Sequence, residues 1–230
     1  VRIYRPAAMP PSAYAPMVTA LGAAIKKLKV LGFSPSARTT PVYVYLKKLP
    51  AGVDGYYVGS GWSVDNSSLE INLDNVITAG KLAVLQRTVY HEYFHMVQAR
   101  FDPRYAYTQA QFNAPQLWFD EACSVWFEKF APAAGGDTSS YMSTNASEVL
   151  AGHHMDCSGL ARAYKALKKK VDNHGYGLSM MLEYLFTQGP AGTVGKANPI
   201  LVNTYTSLHG GATIRDAFVA NVPPVATWWD

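Results

Sequence analysis

His91-Glu92-Tyr93-Phe94-His95 decides how the rest of this chain is read. The stretch sits inside a helical pattern running from about residue 79 to residue 99, with Leu82, Leu85 and Val89 along one inner side. Positions four apart on an α-helix lie one above the other. His91 and His95 therefore turn two imidazoles toward one point, which is what a zinc ion asks of two of its ligands. Glu92 lies beside that pair and not in line with it. There a carboxylate can hold a water and take its proton. Two surface histidines on a solvated helix would give the same five letters, so the surroundings must decide.

A catalytic zinc site wants a third protein ligand and keeps its fourth position for water. The next helical segment, expected over about 115–130, contains Trp118-Phe119-Asp120-Glu121-Ala122. Glu121 follows His95 after 25 intervening residues, 96 to 120, enough for a helix–loop–helix to return on itself.

Upstream of the motif the chain reads as strands. Residues 41–46 (PVYVYL) and 55–59 (GYYVG) are β-branched and aromatic. Residues 68–74 alternate: Leu69, Ile71 and Leu73 face one way, and Glu70, Asn72 and Asp74 the other. That pattern predicts a half-exposed antiparallel strand at a sheet edge. Thr78 is placed to cap the His91 helix. A first helix is expected over 15–31 with Gly32 as its stop, and residues 1–16 read as irregular. Downstream the pattern is helical, over 158–171, 177–187, 198–208 and 213–220, with 140–150 ambiguous. Strands before the motif and helices after it predict an α+β fold. One catalytic domain in two lobes is expected, 1–100 and 101–230.

Composition narrows the function classes. The 230 residues, 49% hydrophobic and 16% charged, are globular and long enough for a sizeable core. The net charge of +4 comes largely from three short lysine clusters, at 26–29, 47–48 and 168–170. They read as solvated faces, so no nucleic-acid partner is expected. No apolar run reaches 18 residues, so no transmembrane helix is expected, and the first residues do not resemble a signal peptide. The 15 Tyr and 5 Trp suit a loop-rich, wet-surfaced chain, low Lys and Glu content fits a secreted or extracellular protein, and a monomer is expected. Cys123 and Cys157 allow one disulfide, or two buried free thiols.

H-E-x-x-H followed by W-x-x-E-A on the next helix resembles the gluzincin metallopeptidases. These include thermolysin-like enzymes, bacterial collagenases and zinc aminopeptidases. Their second motif often reads W-L-x-E-G-x-A-x-x-x-E. This chain has WFDEACSVWFE from Trp118 to Glu128, with Glu128 seven residues after Glu121. HEYFHMVQARF, residues 91–101, is similar to the collagenase-type active helix. The resemblance covers roughly residues 68–187.

It implies a zincin-like two-lobed domain: a small twisted sheet with an edge strand, an active-site helix and a mostly helical C-terminal lobe. It implies one catalytic Zn2+ held by His91, His95 and Glu121, with Glu92 as general base. It also implies that the strand over 68–74 borders the cleft, antiparallel to a bound peptide. The loop between the motifs is longer than in thermolysin. No G-x-M-E-N run precedes the active helix, so the amine-binding site of the aminopeptidases is missing. Endopeptidase action on a peptide or protein substrate is therefore the expectation. The alternative is a catalytically silent binding module that contains zinc. Asp120 is read either as a neighbour of the ligand or as a helix-start charge. Glu128 is read either as holding a ligand histidine or as solvated. Peptide hydrolysis also needs an oxyanion donor. Tyr176 and His174 are the first candidates, then His153 and His154, while His209 reads as structural.

Overall fold

The computed structural model describes residues 1–33, 41–60, 63–78, 80–101, 117–132, 179, 182–183 and 199–222. Among them the chain is α+β, with one small open four-stranded sheet and mostly helical content elsewhere.

Strand β1 (Arg2–Tyr4) leads into helix α1 (Pro11–Val30), which returns the chain to strand β2 (Tyr43–Lys47), parallel to β1. Pro11 occupies the first helical position, where a missing N–H costs nothing. Arg5 gathers the carbonyls of Pro6, Ala7 and Met9 just ahead of it. The inner stripe Met17, Ala20, Leu21, Ala24 and Leu28 is fully buried. Gly32, at φ +99°, ends the helix, and Phe33 N–H closes back on the Leu28 carbonyl at 3.0 Å. The expected stop is thus where the sequence placed it. The helix starts earlier than expected, and β1 was not anticipated: three residues that alternate only once carry no period to read.

Strand β3 (Gly55–Ser60) and strand β4 (Ser63–Asn72) pair antiparallel, and β4 also pairs in parallel with β2. The sheet order is β1-β2-β4-β3. This corrects the expectation of an edge strand over 68–74: β4 is bonded on both sides, and among the described residues the outer antiparallel strand is β3. The alternation itself is real. Leu69 and Ile71 are buried with Val44 and Leu46 on the inner face, while Glu70 meets Lys47 at 2.7 Å on the outer one.

The strand also stops short of Asp74. Asn72, expected on an exposed face, is buried. Its Nδ2 donates to the Val53 carbonyl at 2.6 Å, and its Oδ1 accepts from the N–H groups of Asp74 and Asn75 at 3.1 Å each. These bonds end the strand and start a single π-helical turn, Leu73–Thr78. Gly80, at φ +63°, breaks that turn. Helix α2 (Leu82–Phe101) begins after it, so Thr78 does not cap the helix.

Helix α3 (Leu117–Glu128), helix α4 (Pro199–His209) and helix α5 (Ile214–Asn221) complete the described elements. Thr213 caps α5 by accepting the Asp216 N–H at 3.1 Å. The ambiguous stretch 140–150, the expected helix at 158–171 and nearly all of 177–187 lie outside the described residues.

The contacts group the chain into two compact units. One contains the sheet, α1 and α2, with Phe127–Gly136. Its core includes edge-on ring contacts of Phe33 with Phe94 and Phe101, and Tyr90 and Phe94 against Phe127. The other contains Thr108–Trp126 with α4 and α5. There Phe119 packs on Tyr205 and Phe218, and Trp126 donates to Glu183 at 2.7 Å.

Candidate metal centre

The centre of α2 is buried without a break over twelve consecutive residues, Thr88 to Ala99. Five of them are polar: Thr88, His91, Glu92, His95 and Gln98. Polar groups removed from water must be paired to be tolerated. The pairs found here give both histidines one orientation.

His91 Nδ1 lies 2.7 Å from Glu128 Oε1, and His95 Nδ1 lies 2.7 Å from Gln98 Oε1. Both partners are acceptor oxygens, so in each neutral ring the single N–H is on Nδ1. That leaves the lone pair on each Nε2. The two Nε2 atoms face each other at 2.9 Å, with the rings at 77°. Two lone pairs at that distance repel unless something positive lies between them. A metal ion accepts both.

Glu121 supplies the third donor. His91, His95 and Glu121 each offer one ligand atom, and these atoms lie within 4.8 Å of one another, all three residues being buried. Glu121 precedes Glu128 by seven residues, two turns on one helix. The donor set, two imidazoles and a carboxylate, suits a divalent cation of the zinc class, so the expected His91–His95–Glu121 group fits a metal ion.

Glu92 is buried beside this group. It runs beneath the outer strand: a Cβ built on Gly55 would stand 3.1 Å from Glu92 Cγ and 2.5 Å from Thr88 Cγ2. Only a glycine lets β3 approach α2 so closely at this point.

One of the two open readings on α3 is resolved. Glu128 is buried and bonded to His91, not solvated. Asp120 stands in the first turn of α3, buried, and accepts from the Tyr205 hydroxyl at 3.2 Å. Cys123 is a buried free thiol among the described residues, and burial pushes its pKa well up. Cys157, Tyr176, His174, His153 and His154 lie outside the described residues. His209 is the exposed last residue of α4. Sequence reading missed Gln98, although its i+3 spacing from His95 was legible.

No protein-family model, curated protein or solved structure matches this chain.

Proposed function

We propose that the protein is a zinc-dependent endopeptidase of gluzincin type with a zincin-like fold, acting on peptide or protein substrates outside the cell. The observation that carries this reading is the pair of Nε2 atoms turned toward each other, 2.9 Å apart, with Glu121 within reach and the buried Glu92 next to His91 in the helix. A structural zinc site closes all four positions with protein ligands. Three donors among the described residues, with a buried carboxylate alongside, fit a catalytic one.

When bound, zinc supplies a Lewis acid that makes water nucleophilic at neutral pH and polarises a carbonyl. Glu92 accepts the proton of the attacking water and delivers it to the leaving amine. Glu128 and Gln98 keep both histidines in the tautomer that directs Nε2 inward. Tyr176 or His174 is assigned the oxyanion donor, on the sequence resemblance. An extended substrate pairs with the outer edge of β3. Two observations support that placement: among the described residues β3 pairs with β4 alone, and at Gly55 it passes over Glu92.

Two measurements test this. Elemental analysis of protein purified without chelators is expected to give one zinc per chain, and a denatured protein substrate is expected to be cut internally. Zinc without any cleavage would favour the silent binding module. Protein with no zinc ends the proposal.

A further inference from the structure

We propose that Gln98 is a positioning residue for the metal site: its amide oxygen holds His95 as the Nδ1–H tautomer and so presents Nε2 to the ion. The inference rests on the zinc reading above and adds to it.

Gln98 is fully buried, one turn beyond His95 on the same helix. Its Oε1 lies 2.7 Å from His95 Nδ1. An imidazole has two nitrogens, and the bond made by one determines what the other offers. An amide oxygen can only accept, so it selects the ring that carries its proton on Nδ1. A different tautomer would point an N–H at the ion.

The choice of an amide also has a reason. His91 is backed by a carboxylate, Glu128, and His95 by a neutral group. With a divalent cation present, the charges of Glu121 and Glu128 balance it, and Glu92 remains as the base. A carboxylate at position 98 would add one more buried negative charge, costly in a region of low dielectric. The amide keeps the orientation without that charge.

The test uses the full chain, stripped of metal and titrated with zinc against a chromophoric chelator, together with long-range 1H–15N spectra of the imidazoles. Wild type is expected to show His95 protonated at Nδ1, both without and with zinc. Gln98→Leu, which removes the acceptor, should weaken zinc by about 10- to 100-fold. Gln98→Glu, which restores an acceptor, should bind zinc as tightly as wild type or more so. A merely space-filling Gln98 would instead leave zinc affinity unchanged in Gln98→Leu, and that result overturns the proposal. So does a wild-type spectrum with His95 protonated at Nε2. If Gln98→Leu does not fold, the wild-type spectrum and Gln98→Glu decide: Nε2 protonation, or a Gln98→Glu affinity as weak as predicted for Leu, overturns it. Wild type that binds no zinc removes the enzyme reading as well. Wild type that binds zinc while Gln98→Leu is unaffected removes only the role of Gln98.

Discussion

Helices α1 and α2 are each twenty residues long and belong to the same compact unit, yet they are built on opposite terms. α1 buries one apolar stripe, Met17, Ala20, Leu21, Ala24 and Leu28, and gives water the rest. α2 buries its whole circumference from Thr88 to Ala99, including two histidines, a glutamate and a glutamine. The first is a stabilising element of the ordinary amphipathic kind. The second places polar groups where apolar ones would be cheaper, and tolerates them through bonds such as those to Glu128 and Gln98. Local rules are broken where a site is, and stability is supplied elsewhere.

The largest effect expected from that contrast is on α2. Glu92→Gln should lower turnover by about 10²- to 10⁴-fold while zinc content and Tm stay near wild type, because the amide fills the same space and takes no proton. Turnover at the wild-type rate would remove Glu92 from the chemistry.

On α1 the same size of perturbation should appear in stability alone. Leu21→Ala is expected to cost about 2–5 kcal/mol of unfolding free energy, measured with denaturant, with zinc affinity of the folded protein unchanged. A loss of zinc affinity in folded Leu21→Ala protein would break the separation between the two helices.

A third pair sharpens the meaning of a polar core. His91→Leu or Glu128→Leu alone should cost the apo-protein about 1–3 kcal/mol, since each strands a buried partner. The double replacement should return much of that stability, or exceed it, while abolishing zinc binding. If the double variant is less stable than both single ones, the polar pair is stabilising in its own right and the contrast with α1 fails.

Gly55→Ala should cost about 1–3 kcal/mol by forcing β3 away from Thr88 and Glu92. Its effect on turnover should exceed its effect on zinc, because the crowded residue is the proposed base and not one of the proposed ligands. Equal losses in both would place the strand's role elsewhere.

The smallest effect is a charge at the rim of the same unit. Lys129 and Lys27, the latter on α1, both lie over the Phe130 ring, at 5.0 and 4.2 Å. Burial, then the Lys27 charge, lowers the Lys129 pKa to about 8. The unfolded chain therefore binds more protons above that value, so stability should rise as pH increases from about 8 toward the ordinary lysine range. Lys129→Met should flatten that slope in thermal melts followed across alkaline pH.

Local order was legible because its causes lie within a few residues. The i, i+4 spacing of His91 and His95, the Gly32 stop and the alternation of Leu69, Glu70 and Ile71 follow from helix and strand periods and short hydrogen bonds. Glu121 was legible because two spaced motifs carry more information than one. What the period could not say is which neighbour a strand takes. Leu69 and Ile71 alternate with polar residues whether β4 lies at an edge or in the middle, and the parallel bond to β2 requires residues as distant as Tyr43 and Ser68 to meet. Asn72 looked exposed by parity, but it is buried because its side chain joins Val53 to the start of the π-helical turn. The bond from His91 to Glu128 closes a separation of 37 residues and turns an ambiguous glutamate into the group that orients a histidine. Periodicity assigns faces within an element. Strand order, the burial of α2 on all sides and the tautomers of its histidines depend on contacts between elements, and only the folded chain decides those.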